Sequence, residues 1–187
     1  MHHPEHRTGS VTEHPLGAII LTGGASRRMG ADKATQLWGE ERAVDLVAGL
    51  AASAGAALII SAGPGRFGLP RTLDKTPLGG PVGGILSGLA WLDGRCAKVL
   101  VLAVDAPTLS LDDLAPLLAA PSPGAVFAGM PLPMVLDPQA TAAGAEAGWP
   151  VRRFAERSGL TQLEPNAGSL ARLRGANTPQ ELAGLLA

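Results

Sequence analysis

Short, continuously apolar runs separated by helical patterns predict an α/β chain. Its sheet is expected to be mostly parallel and covered by helices on both faces. The first observation is the runs themselves: Ala18-Ile19-Ile20-Leu21, Ala57-Leu58-Ile59-Ile60 and Val99-Leu100-Val101-Leu102-Ala103-Val104. A strand with one wet face would alternate, whereas unbroken apolarity marks burial on both sides. The second is that apolar residues between the runs recur at helical spacing. The third is that each run ends in a Gly-, Asp- or Pro-containing loop, and in such sheets ligands sit beyond the carboxyl ends of the strands.

In chain order, the first strand leads into Thr22-Gly23-Gly24. Val44, Val47, Leu50, Ala51 and Ala54 then follow helical spacing, with Gly55 as a stop. The second strand ends in Ser61-Ala62-Gly63-Pro64-Gly65. Residues 71–84 are rich in Gly and Pro and read as irregular, with the 80–84 stretch opening a helix. Ile85, Leu86, Leu89 and Leu92 form that helix's stripe, and Gly94 is its end signal. The third strand is stopped by Asp105-Ala106-Pro107. Ser110 and Asp113 have capping-box spacing ahead of Leu111, Leu114, Leu117 and Leu118. Pro121 and Pro123 break the chain. Two short strands are expected in 124–136 around Gly129-Met130-Pro131, then a basic helix over 151–159 with Arg152, Arg153 and Arg157. Thr178-Pro179-Gln180-Glu181 opens a last helix with a cap, a proline at the first helical position and a reciprocal glutamate.

Composition narrows the function classes. The 187 residues fit one domain with a sizeable core. Residues 1–15 are expected to be a mobile polar tail and 16–187 the folded domain. Hydrophobic residues make up 46% and charged residues 17%, so the chain is globular rather than disordered. A net charge of −1 without a long basic stretch argues against nucleic acid or anionic membranes as partners. No signal peptide or bilayer-length apolar run is visible, which makes the cytoplasm the expected compartment. Cys96 is the sole cysteine, so an internal disulfide and a multi-cysteine metal site are excluded. Its expected role is a buried structural thiol, although Arg95 and Lys98 stand near it in sequence. All four histidines fall within the first 14 residues: His2, His3, His6 and His14. The core therefore cannot run Ser-His-Asp or Cys-His catalysis, or zinc hydrolysis on histidines. Asp, Glu, Lys, Arg, hydroxyls and an oxygen-held metal remain.

The richest segment is Leu21-Thr22-Gly23-Gly24-Ala25-Ser26-Arg27-Arg28-Met29-Gly30-Ala31-Asp32-Lys33. Adjacent glycines let the backbone turn sharply and approach a ligand. Arg27, Arg28 and Lys33 add cations near exposed amides, a seat for phosphates. Five residues separate Gly24 from Gly30 and Ala31 follows, so this is not a P-loop. Adjacent first glycines also rule out the dinucleotide G-x-G-x-x-G pattern. Asp105 follows an apolar strand, where a carboxylate can hold Mg²⁺ together with phosphate oxygens; capping the following turn is the plainer alternative. Asp74 can accept hydrogen bonds from a guanine edge or simply pair with Lys75. Gly80-Pro81-Val82-Gly83-Gly84 can bring amides toward a ribose or phosphate or form a plain turn.

The 21–33 segment resembles the signature L-x-G-G-x-S-x-R-M-G-x-D-K of molybdenum cofactor guanylyltransferases. Residues 80–89, beginning Gly80-Pro81-Val82-Gly83-Gly84, are similar to that family's G-P-L-x-G-x-L-x-G-L stretch. Val104-Asp105-Ala106-Pro107 is similar to its C-D-x-P, and Asn177-Thr178-Pro179-Gln180-Glu181-Leu182 to its N-T-P-E-D-L ending. The resemblance implies a Rossmann-like, three-layer single domain of the nucleotide-diphospho-sugar transferase type. It also implies GTP and Mg²⁺ as reactants, and transfer of GMP to the phosphate of molybdopterin. By motif position, Leu21, Thr22, Gly23, Gly24, Lys33, Ser61, Asp74 and Asp105 would contact the nucleotide. Lys33, Arg28 and Asp105 would be catalytic, and Asp105 would hold the metal. Gly24 is similar to guanine-using members, whereas cytidine-using relatives usually show Ala-Gly. Ser61 and Gly175 stand where the family often has asparagine, and 124–150, which would help to bind the pterin, matches poorly. A cytidylyltransferase, a sugar-phosphate nucleotidyltransferase and a non-catalytic nucleotide-binding module remain as alternatives. A monomer that meets other cofactor-biosynthesis proteins transiently is the expected state.

Overall fold

A computed structural model describes residues 15–23, 33–73 and 79–174. The described elements begin with strand β1 (Leu16–Leu21), a small hairpin of β2 (Leu37–Trp38) and β3 (Glu41–Arg42), and helix α1 (Ala43–Ser53). Strands β4 (Ala56–Ala62) and β5 (Arg71–Thr72), helix α2 (Gly80–Leu92), strand β6 (Lys98–Ala103) and helix α3 (Leu111–Ala119) follow. The last elements are strands β7 (Gly124–Phe127) and β8 (Met130–Leu136), helix α4 (Val151–Arg157), strand β9 (Thr161–Leu163) and helix α5 (Leu170–Arg174).

Seven strands form one sheet in the order β5-β4-β1-β6-β8-β7-β9. Only β8 runs against its neighbours, pairing antiparallel with β6 and β7. The expected mostly parallel α/β architecture is therefore observed. β1 lies between β4 and β6 and is buried from Gly17 to Leu21. Its side chains alternate between two cores. Ala18 and Ile20 join the α1 and α3 side through Val44, Val47, Leu114 and Leu117. Ile19 and Leu21 join the α2 and α4 side through Ile85, Leu89, Leu92 and Phe154. Continuous apolarity in the sequence thus reflects two covered faces. Each fully buried Ile or Leu here contributes about 1.5–3 kcal/mol by leaving water.

Glycines set the closest contacts. A Cβ at Gly88 of α2 would lie 2.6 Å from Ile19 Cδ1, and one at Gly17 would lie 2.6 Å from Cys96 Sγ. Only glycine lets α2 lie this near β1. Gly17 at the start of β1 meets Leu92, the last residue of α2, and Cys96 in the loop that follows, so the helix runs opposite to the strand. Its first turn therefore stands at the carboxyl edge of the sheet. Cys96 is buried as expected; burial raises the thiol pKa, outweighing the lowering effect of Arg95.

Local signals placed most elements within a residue or two. Ser110 and Asp113 form the expected capping box. The turn between β7 and β8 falls at Ala128-Gly129, with Met130 already in β8. Several features differ from the sequence expectation, among them strand β9 and helix α5, which lie where no element was expected. Arg71–Thr72 is a short edge strand inside a segment read as irregular, because pairing with β4 defines it and a two-residue pattern cannot. The β2–β3 hairpin was also not anticipated; Gly39, at φ 68°, supplies its turn.

Candidate nucleotide site

The three inner parallel strands end on one level. Leu21 pairs with Ala62 of β4 and with Ala103 of β6. Thr22-Gly23, the loop starting at Gly63 and the turn at Val104-Asp105 therefore leave the sheet side by side. Thr22 is buried; its backbone N–H and its hydroxyl both donate to the Ala62 carbonyl, at 3.0 and 3.1 Å. Val104 N–H donates to the Leu21 carbonyl at 3.4 Å. Together these bonds fix the ends of the adjacent strands β1 and β6, and with them Gly23 and Asp105, relative to each other.

Gly63 completes the junction. At φ 146°, a Cβ there would meet Thr22 Oγ1 at 2.5 Å and the Gly23 nitrogen at 2.8 Å. The loop it opens is pinned by Arg71, whose guanidinium donates to the Pro64 carbonyl at 2.7 Å. Gly23 is exposed, and a Cβ there would make ordinary van der Waals contact with Gly63 Cα at 3.7 Å and Pro64 Cδ at 3.8 Å.

The expected site residues divide clearly. Leu21, Thr22, Gly23 and Asp105 lie together at the carboxyl edge, and Asp105 is exposed there. Lys33, half-buried, begins a short 3-10 turn that re-enters the described chain after the glycine-rich loop. Ser61 is fully buried in β4, with its hydroxyl 3.5 Å from the Pro70 carbonyl. The loop beyond it, rather than the Ser61 side chain, reaches the edge. Gly24, Arg27, Arg28, Asp74 and the 177–182 ending lie outside the described residues.

Two orphaned hydroxyls mark the same edge. Thr72 Oγ1, at the end of β5, and Thr108 Oγ1, in the loop after Asp105, are buried without a hydrogen-bond partner. Native folds rarely leave such groups unsatisfied unless a ligand or water serves them. No cluster of three or more His, Cys, Asp or Glu side chains occurs among the described residues. A single exposed carboxylate suits Mg²⁺, which keeps several waters and takes one or two carboxylates plus phosphate oxygens.

The segment carrying Asp105 is anchored at both ends. It leaves β6 at Ala103 and stops at Ser110, whose N–H and hydroxyl donate to Asp113 Oδ2 at 2.9 and 2.8 Å. Asp113 in turn accepts two bonds from Arg172 of α5, each 2.7 Å. Burial alone would raise the Asp113 pKa. Hydrogen bonds from Arg172, Ser169 and Ser110 overcome burial and hold the carboxyl far below its usual range.

Residues 18–164 match the model of the MobA-like NTP transferase domain. The chain belongs to this family. A probable molybdenum cofactor guanylyltransferase of Deinococcus radiodurans is 41% identical over 114 residues, covering 59% of this chain and 57% of the relative. The molybdenum cofactor guanylyltransferase of Rhodobacter capsulatus is 40% identical over 115 residues, 58% of this chain and 60% of that one. These matches thus span somewhat over half of those relatives' lengths. A Xanthomonas euvesicatoria molybdenum cofactor guanylyltransferase is 29% identical over 183 residues, 93% of this chain and 96% of the relative. Among solved structures, molybdopterin-guanine dinucleotide biosynthesis protein A of Archaeoglobus fulgidus has a TM-score of 0.62 at 16% identity, covering 90% of this chain and 96% of its own. The 2-C-methyl-D-erythritol 4-phosphate cytidylyltransferase of Thermus thermophilus reaches 0.60 at 15% identity, with the same coverages of 90% and 96%. At those identities the MobA-like chain shares its fold with both, and substrate choice is a matter for the site.

Proposed function

We propose that this chain transfers GMP from GTP to the phosphate of molybdopterin, releasing pyrophosphate and forming a guanine dinucleotide cofactor. The observation that carries the reading is the level ending of β1, β4 and β6. It sets Thr22-Gly23, the Gly63 loop and Asp105 along one edge in a chain that is 40% identical over 115 residues to a molybdenum cofactor guanylyltransferase.

The acceptor needs no general base. A phosphate monoester has a second pKa near 6, so at neutral pH it is already a nucleophile. One of its oxygens attacks the α-phosphorus of GTP. The bond from that phosphorus to the α–β bridging oxygen breaks, and the electron pair leaves with pyrophosphate. What the protein supplies is alignment and positive charge. The amides of the 22–24 turn would cradle phosphate oxygens, and Lys33 would offset charge growing at the α-phosphate. Arg28 would grip the β- and γ-phosphates by bidentate contacts. Asp74 would read the guanine edge. Asp105 would hold Mg²⁺, which neutralises phosphate oxygens when bound.

The deciding experiment titrates GTP, CTP and ATP calorimetrically with Mg²⁺ and with EDTA, then follows pyrophosphate release with molybdopterin. Mg²⁺-dependent binding that prefers GTP, followed by turnover, is the expected result. A preference for CTP reassigns the chain to cytidine transfer, and binding without turnover makes it a nucleotide-binding module.

A further inference from the structure

Asp113 is the one buried acid among the described residues, and the proposed chemistry makes no direct use of it. Its carboxylate is filled from two directions. Ser110 donates its N–H and its hydroxyl to Oδ2 at 2.9 and 2.8 Å. Arg172 of α5 donates from Nε to Oδ2 and from Nη2 to Oδ1, each at 2.7 Å. The guanidinium thus meets the carboxylate as a two-pronged fork, which fixes the angle between the partners as well as their distance.

What the fork holds is the far end of the segment that carries Asp105. Ser110 closes that segment and is the N-cap of α3. The near end is held by Val104 N–H on the Leu21 carbonyl. Between them, Leu109 N–H donates to the Ala106 carbonyl at 3.4 Å, and Ala106 and Leu109 share one core with Leu173 of α5. Asp105 itself is exposed, so the backbone on either side decides where its carboxylate stands. Helix α5 is braced in turn: Ser169, just ahead of it, donates its N–H and hydroxyl to Asn166 Oδ1, both at 2.8 Å. Arg172 therefore reaches across 59 residues of chain from a fixed base.

We infer that Arg172 is a positioning residue for the metal-binding carboxylate: through Asp113 and Ser110 it sets the backbone that aims Asp105 at the phosphates. This rests on the guanylyl-transfer reading, in which Asp105 holds Mg²⁺, and adds to it a residue that touches neither nucleotide nor metal. The demand for such bracing is steep, since displacing a reacting group by about 1 Å can cost about 10²-fold. The opposite end of α3 supplies a control. Lys98 Nζ donates there to the Leu118 and Ala120 carbonyls, so its loss loosens the same helix away from Asp105.

The test uses the full chain with GTP as probe. Calorimetric GTP affinity is measured with Mg²⁺ and with EDTA, and the ratio of the two is the metal's gain. No gain in the wild type means that the metal assignment of the guanylyl-transfer reading fails, and the positioning role with it. With a gain present, Arg172→Gln is expected to shrink it at least fivefold while GTP affinity in EDTA stays within twofold. The Mg²⁺ concentration for half-maximal turnover with molybdopterin should rise by a similar factor. Arg172→Lys, which keeps the charge but not the fork, should recover part of the gain. Lys98→Met should melt lower yet keep the wild-type gain. Should Arg172→Gln fail to fold, Ser110→Ala removes one bond of the same link, and its gain should also shrink. A wild-type gain in Arg172→Gln, or an equal reduction in Lys98→Met, overturns the positioning role alone. A matching loss of GTP affinity in EDTA would tie the pair to the nucleotide cradle rather than to the metal and overturn it equally.

Discussion

Asp105 and Lys33 carry charge that the proposed reaction needs only as it proceeds. Replacing either with alanine should lower GMP transfer by about 10²–10³, the cost of losing one preorganised electrostatic partner. The melting temperature should stay near wild type for Asp105→Ala, since this side chain is exposed. Pyrophosphate release and a thermal melt check both points. Gly63 offers a sharper test of geometry. Alanine there meets Thr22 Oγ1 at 2.5 Å with φ at 146°, a strain of roughly 1–3 kcal/mol. Because Thr22 and Gly23 are the atoms displaced, GTP affinity should fall along with stability. Much of this site was readable beforehand, because glycine turns and strand-end acids are local signals. The role of Gly63 was not, since its constraint comes from Thr22, 41 residues earlier in the chain. Ser61 is a different case. The resemblance implies a nucleotide contact there, and its side chain is buried within β4.

Helix α3 is fixed at both ends by residues outside it. At its start, Asp113 joins Ser110 to Arg172; at its end, Lys98 Nζ donates to the Leu118 and Ala120 carbonyls at 3.1 and 2.7 Å. Lys98→Met keeps the aliphatic stem but loses those bonds, and should cost about 1 kcal/mol by denaturant unfolding. Arg172→Gln leaves a buried carboxylate short of its cation. A loss of stability is expected at pH 7 by denaturant unfolding, smaller than for a fully buried pair because Arg172 is partly exposed. The pH dependence has a definite sign. Asp113 has a lower pKa folded than unfolded, so its contribution is complete above about pH 4, the unfolded carboxylate value, and declines as pH falls through the folded one. The gap between wild type and Arg172→Gln should therefore narrow between pH 4 and pH 2; a constant gap would refute the assignment. The capping box was legible from Ser110 and Asp113 because it spans three residues. Its link to Arg172 spans 59 residues and leaves no local trace.

The arrangement of the whole sheet was legible in kind but not in order. Unbroken apolar runs announced a parallel sheet with two covered faces. The reversal of β8 came from a tight turn at Ala128-Gly129, and its insertion between β6 and β7 is decided by pairing alone. The place of β1 has a consequence for how the chain is made. It leaves the ribosome before either of its partners: β4 ends at Ala62 and β6 at Ala103. At roughly 5–20 residues per second, β1 waits about 4–16 s for β6 to be synthesised. During that time a strand of six residues, apolar throughout and lacking a charge, has an unpaired edge, the kind of segment on which chains aggregate. Chains truncated at residue 95 should accordingly be cut rapidly by protease and bind holding chaperones. Chains extended past residue 136, which complete the β4-β1-β6-β8 core, should become resistant. The strand that ends at the proposed nucleotide edge is thus a liability of the nascent chain, and synthesis speed between residues 21 and 103 should influence how much of the protein reaches its folded form.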